Sequence, residues 1–302
     1  MSNPKRHHYL PESYLRRFAN SSRKFWIFDR KANEFRIQTP KNTAVRGYYY
    51  AFRDQNGNRR FDIESSLADI ENRAKDIINR LDERQPLTLQ DRQPLAHFVA
   101  LLRLRVPEFE RVYNKAGERL AKHTMMAEFS NRDRAIAWLR DYEEVTGDKL
   151  EISDDEIINA VKRGEGSFSP PREHSLWASV RLAPEIADVF MSLAWKICHV
   201  SSETSLVTSD NPFTILPPSN YNPAGFQGVG FLTPNALKII PLSYKTILIM
   251  GNPGDSVTIG KISKESVREC NKAIAVGSED LVIARDETLI KRIIKITKLD
   301  KN

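Results

Sequence analysis

The sequence predicts an α+β protein, with N- and C-terminal β-strand segments packed around a central block of amphipathic helices. Three observations predict it. Short alternating apolar runs fill residues 1–60, apolar residues recur at helical spacing over 61–200, and strand-like runs return over 201–302. Strands and helices segregated in this way favour α+β over a wound βαβ fold. The expected organisation is a single domain over 1–302. It has a basic β-rich part (1–60), a helical block (61–200) and a mixed β-rich part (201–302), with the two strand segments meeting across the helices.

The elements follow in order. Residues 7–20, HHYLPESYLRRFAN, place a short helix after Pro11, with Glu12 favouring its start and Tyr14, Leu15 and Phe18 on one face. KFWIFDRKANEFRIQTP alternates as two strands around a turn and predicts a hairpin. Asn56-Gly57-Asn58 is a further turn signal. From residue 61 the register changes. Ile63, Leu67, Ile70, Ala74, Ile77, Ile78 and Leu81 recur every three or four residues, an amphipathic helix over 61–84.

A second helix is expected over 90–113, kinked or ended by Pro107, and a third over 115–142. Ser153 and Glu156 have the spacing of a capping box and predict a helix start. The apolar run 175–200 reads as a helix interrupted early by Pro184. LVTS, LKIIPLSY, TILIMG and DLVIAR read as strands, the second and third paired. SKESVRECNKAIAVGS reads as a helix, 212–236 as a loop, and the tail from Glu287 as simply basic.

Forty per cent of the 302 residues are hydrophobic and 28% charged, a balance that supports a folded core. No run approaches the ~20 apolar residues of a membrane span. The opening MSNPKRHHYLPESYLRRF lacks the apolar stretch of a signal peptide. Cys198 and Cys270 have no C-x-x-C partner and read as buried thiols, which fits a reducing cytoplasm. The net charge of +7 is uneven. Residues 1–60 hold 14 Lys or Arg against 4 Asp or Glu, whereas 61–302 hold 32 against 35. That asymmetry suggests an anionic partner, nucleic acid first, for the N-terminal segment. Solvation of an N-terminal sheet is the plainer explanation. No phosphate-binding loop, dinucleotide fingerprint or zinc-finger spacing occurs, which argues against ATP-driven and nicotinamide chemistry.

Several polar clusters are candidate site residues. His7 and His8 can bind a metal or exchange protons near neutral pH; equally, one can close a structural hydrogen-bond network. Glu64 and Glu71 share a helix face, and with an aspartate nearby could hold Mg²⁺. Arg105 is bracketed by apolar residues, so its charge needs a partner, either a carboxylate such as Glu64 or Glu71 or a phosphate shared with Arg16 and Arg17. Ser209-Asp210-Asn211-Pro212 follows a strand, where Asp and Asn can hold their own turn or serve a site. No Gly-x-Ser-x-Gly elbow surrounds Ser209. Tyr48, Tyr49, Tyr50, Trp26 and Phe28 lie amid basic residues, where aromatics stack on bases or pack a strand.

The motifs add a resemblance. His7, His8, Tyr9, Pro11, Tyr14, Leu15 and Phe18 form an opening signature. Asn42, Ala44 and Tyr49 follow, then Glu64, Leu67 and Glu71, then Arg105, Pro107 and Arg111. Ser209, Asp210 and Pro212, and Pro241, Leu242 and Ser243, complete the set. Together they resemble a mainly bacterial family known as domain of unknown function 4238, over roughly residues 7–285. Position 103 departs from that pattern, with Arg in place of Gln. The resemblance implies one whole domain and a bacterial setting, and carries no activity with it.

Two readings stand at this point. One is an enzyme cleaving a phosphodiester of RNA or DNA. His7 or His8 would be acid or base, with Asp210 orienting it or joining a Mg²⁺ ion. Tyr14, Arg16, Arg17, Arg105, Ser209 and Asn211 would line the substrate. The other is a non-catalytic module whose basic N-terminal face binds nucleic acid or an acidic protein. The first predicts that His7, His8, Tyr14, Arg17 and Asp210 converge in one cleft.

Overall fold

A strand buried on one face alternates apolar and polar side chains, and a strand buried on both does not. This chain uses both kinds. The computed structural model describes residues 6–47, 52–53, 59–60, 62–165, 172–222 and 228–301. First come β1 (Arg6–His8), α1 (Glu12–Leu15), β2 (Phe25–Asp29), β3 (Glu34–Gln38) and β4 (Val45–Gly47), then the two-residue strands β5 (Phe52–Arg53) and β6 (Arg59–Arg60). The helices are α2 (Asp62–Asp82), α3 (Leu89–Leu104), α4 (Pro107–Glu128), α5 (Arg132–Thr146), α6 (Asp154–Lys162) and α7 (Arg172–Met191). Then follow β7 (Leu193–His199), β8 (Thr208–Ser209), β9 (Thr214–Leu216), β10 (Leu237–Pro241), β11 (Thr246–Pro253) and β12 (Val257–Lys261). Last are α8 (Lys264–Val276), β13 (Leu281–Ala284) and α9 (Glu287–Thr297). The architecture is α+β, with strands toward both ends of the sequence and helices between.

The chain forms two compact units, Met1–Phe109 with Leu176–Asn302, and Glu110–Ser175. In the first, a five-stranded sheet has the order β12-β7-β11-β10-β9. Its neighbours are antiparallel except for the parallel pair β12 and β7. A four-stranded sheet, β3-β2-β13-β8, joins the N-terminal hairpin to C-terminal strands, with Ile283 opposite Ile27. The expected meeting of the two strand segments is therefore present. Asn56-Gly57-Asn58 and Tyr48–Tyr50 lie outside the described residues.

The central strands of both sheets are buried on both faces, while the edge strands β3 and β12 are partly exposed. Ile197, Ile240, Leu248 and Met250 face one core, with α2, α3 and the segment Tyr9–Phe18. Cys198, Ile239 and Ile247 face the other, with α8 and α9. This explains a correction. The run 175–200 is not one helix, since α7 ends at Met191 and β7 begins at Leu193. A continuous apolar run cannot by itself separate a buried helix from a doubly buried strand. The junction is held by Arg92, whose guanidinium donates to the carbonyls of Met191, Leu193 and Asp255 at 2.7–2.8 Å and lies over the Trp195 ring. A cation there complements the C-terminal end of a helix.

The helix expected over 90–113 is broken just before Pro107, since α3 ends at Leu104. Pro107 opens α4, where its missing N–H costs nothing. One more expectation is corrected. The helix expected over 115–142 is two, because Asn131 caps α5 by accepting from the N–H groups of Asp133 and Arg134. In the second unit, α5 and α6 pack through Phe129, Ala135, Leu139 and Ile158. Gly147 ends α5 at φ +74°, a left-handed position that favours glycine. The Ser153–Glu156 capping box forms as the spacing predicts.

The basic tail is a helix, α9, capped by Asp286 and anchored by Ile290, Ile293 and Ile294. The 212–236 loop contains the edge strand β9. Both cysteines are buried and unpaired with each other. Among the described residues no helix is long and apolar enough to cross a membrane.

Candidate functional site

β1 pairs antiparallel with β4, setting His7 opposite Arg46 and His8 opposite Val45. The chain then turns through Pro11 into α1. One wall of a cavity of ≈ 300 Å³ is built from this corner, with His7, His8, Glu12 and Ser13. The facing wall is α2, which presents Leu67, Ala68, Glu71 and Asn72, residues spaced to share one side of a helix. Arg105, just past α3, closes the floor. It is 5% exposed. Its guanidinium donates to Glu71 Oε1 at 2.7 Å and to the His8 carbonyl at 3.1 Å. One buried cation thus ties β1 to α2. His7 is buried and His8 half-buried. Both line the cavity, and the Nε2 atom of each is buried.

The other expected site residues go elsewhere. Tyr14 is 1% exposed, within hydrogen-bonding distance of Thr208 Oγ1 (2.8 Å) and donating to the Pro241 carbonyl at 2.9 Å. Burial raises its ionisation far above the ordinary phenol value. It lies edge-on to Phe18 in the core and does not line the histidine cavity. Tyr14→Phe is expected to lower stability by about 1–2 kcal/mol. A denaturant midpoint equal to the parent's would show that the two bonds contribute nothing.

Arg16 is exposed and bonds Glu12 Oε1. Arg17 reaches the C-terminal half of α2, donating to the Lys75 carbonyl (2.8 Å), Asn79 Oδ1 (3.0 Å) and Asp82 Oδ2 (3.4 Å). Burial lowers its pKa, opposed by Asp82 and Asp76.

Asp210 holds a turn. Its carboxylate accepts the N–H groups of Glu279 (2.9 Å) and Asp280 (2.7 Å), and its own N–H donates to the Leu281 carbonyl. Burial pushes its pKa up to about 6, against the pull of those N–H groups. Ser209 Oγ accepts from the Asn211 N–H, and Asn211 Nδ2 donates to the Gly277 carbonyl. The Ser-Asp-Asn segment therefore fastens the end of α8 to the start of β13. None of these three lines the cavity of His7 and His8.

Glu71 is committed to Arg105, and the side chain of Glu64 lies outside the described residues. Among the described residues, no three His, Cys, Asp or Glu side chains are placed to hold a metal ion. The Mg²⁺ site expected from Glu64, Glu71 and an aspartate includes Glu64, and so lies partly outside the described residues.

The basic N-terminal segment is answered in part by acids. Arg16 pairs with Glu12, Arg36 with Asp29, Arg17 with Asp82, and Lys31 with Asp280. The last two acids come from outside residues 1–60, so part of the charge excess is balanced only in three dimensions. Trp26 and Phe28 pack in the core of α8 and α9.

A polar network centred on Asp82 escaped the sequence. Asp82 Oδ1 accepts from Ser243 Oγ (2.6 Å) and Thr246 Oγ1 (2.7 Å). Thr246 Oγ1 lies 3.3 Å from His199 Nδ1. Because that hydroxyl gives its one proton to Asp82, the bond to His199 requires the Nδ1–H tautomer. Burial, then Arg84, lowers the His199 pKa, against Asp82. The network fastens the end of α2 to the β10–β11 turn. One signal was available. A carboxylate in the last turn of a helix opposes the helix dipole and so calls for partners.

No curated protein and no solved structure matches the chain. Residues 6–288 match the family described as "Protein of unknown function (DUF4238)". That span covers most of both units, from β1 to the start of α9, and the chain belongs to this family.

Proposed function

We propose that the protein cleaves a phosphodiester, of RNA or DNA, in the cavity of His7 and His8. One observation carries this reading. Two imidazoles, the carboxylates of Glu12 and Glu71 and the guanidinium of Arg105 share a cavity of ≈ 300 Å³, at the small end of ligand-binding cavities. His8 takes a proton from the attacking oxygen, a water molecule or, in RNA, the adjacent 2′-hydroxyl. As that oxygen bonds to phosphorus, the opposite P–O bond breaks and the leaving oxygen gains a proton from an acid or from water. Arg105 is held by Glu71 and the His8 carbonyl, so its charge is pre-oriented toward the phosphoryl oxygens. Tyr14, Arg17 and Asp210 do not line this cavity, so the five-residue cleft expected from the sequence is not assembled and the reading rests on His7, His8, Glu12, Glu71 and Arg105 alone.

A second reading is a non-catalytic module that binds nucleic acid or an acidic protein. It draws on the same separation, since Tyr14, Arg17 and Asp210 do not line the cavity with the histidines.

Labelled single- and double-stranded RNA and DNA, with Mg²⁺, with Mn²⁺ and with chelator, test both. Cleavage by the parent that falls at least ~100-fold in His8→Ala, with an unchanged melting temperature, is the expected result. Chelator sensitivity reports a metal. Salt-sensitive binding without cleavage selects the module. Neither cleavage nor binding overturns both readings.

A further inference from the structure

Away from the histidines, a cavity of ≈ 630 Å³ opens between α8, α9 and the loop 203–205. This volume suits a drug-sized ligand. Its floor is apolar, from Val267 of α8 and Leu289, Ile293 and Ile296 of α9. Its loop wall is fixed by Asn271, which is 2% exposed. Asn271 Nδ2 donates to the Ser205 carbonyl, and its Oδ1 accepts the Val207 N–H.

The lining carries three basic residues, Lys264, Arg268 and Arg292, and three acids, Glu203, Glu265 and Asp286. Each acid on the wall is already engaged. Glu203 bonds Lys264, Asp286 caps α9 through the Leu289 N–H, and Glu265 is held at the α8 N-terminus with Ser263. Arg268 on α8 and Arg292 on α9 line the same cavity. Both are exposed, and neither has an ion pair or hydrogen bond to a described side chain. Two arginines from facing helices over an apolar floor complement one ligand chemistry, an anion with an apolar body.

We propose that this cavity binds a small amphipathic organic acid, its carboxylate or phosphate between Arg268 and Arg292 and its apolar body on Leu289, Ile293 and Ile296. The site is independent of the histidine cavity and of any activity there.

The test is calorimetric titration of the full chain with decanoate below its micelle concentration, beside decanol and acetate. Decanol keeps the body without the charge, and acetate the charge without the body. Each should bind at least about tenfold more weakly than decanoate, the equivalent of one charge-assisted contact or a few buried methylenes. Arg268→Gln/Arg292→Gln should weaken decanoate at least about tenfold while leaving the melting temperature unchanged, since both residues are on the surface. Methyl NMR should place decanoate at Ile293 and Ile296. Equal binding of decanoate and decanol, undiminished affinity in the double variant, or shifts confined to other methyls would each overturn the proposal. So would no binding of decanoate at all.

Discussion

Glu71→Ala is expected to destabilise the fold by about 3 kcal/mol at pH 7, read as a lower urea midpoint with an unchanged slope. The cause is the guanidinium it abandons. Arg105 is 5% exposed and bonds Glu71 at 2.7 Å. Removing the carboxylate takes from a buried cation the counter-charge it bonds at 2.7 Å, which costs far more than the intact pair contributes. The Glu71 side chain is 22% exposed, which lets water reach the gap and keeps the loss at the low end of the buried-pair range. Glu71→Ala with Arg105→Met should recover most of it, because the charge needing compensation is gone. If the double variant were as unstable as the single one, packing around the Arg105 stem would be the cause, not charge. The same pair orients Arg105 over the candidate cavity, so Glu71→Gln, which keeps a hydrogen-bond acceptor, separates a loss of activity from a loss of fold.

Asp210→Ala should cost about 2–4 kcal/mol at pH 7, as it leaves the buried N–H groups of Glu279 and Asp280 without acceptors. Asp210 also predicts a pH dependence. Burial raises its pKa from the ordinary carboxylate value of 3.8 to about 6. Between those values the folded chain binds more protons at this site than the unfolded chain does. Stability from this residue is therefore fully present below about pH 4 and falls as pH rises through about 6, after which it is constant. The shift amounts to about 3 kcal/mol. Asp210→Asn should remove that slope, at a fixed cost of about 1–3 kcal/mol for one N–H that now faces an amide donor. Denaturation midpoints of the parent and the Asn variant at pH 4, 5, 6 and 7 measure it. Parallel curves would show that Asp210 does not titrate in this window.

These effects rest on partners of very different visibility. The need of Arg105 for a carboxylate was legible, because a charge bracketed by apolar residues on a helix must be paired, and Glu71 was already a candidate. The role of Asp210 was half legible. An Asp-Asn-Pro turn after a strand announces side-chain to backbone bonds, yet its partners lie near residue 280. Tyr14 and Arg17 sit in a basic, aromatic opening, which suggests substrate contacts. Their partners, Thr208 and Pro241 for one and Asn79 and Asp82 for the other, have no mark in the local sequence.

Features under short-range control are legible in the sequence. The 3.6-residue period of α2, the capping box at Ser153, the β2–β3 hairpin and the α+β order all follow from neighbours a few residues apart. Long-range packing makes 193–199 a strand, breaks residues 115–142 at Asn131, and gathers Arg17, Ser243 and Thr246 around Asp82. Side chains on a strand covered on both faces lose the alternation that would announce it. A polar group that must leave water takes whichever partner the fold brings near, however distant in the chain.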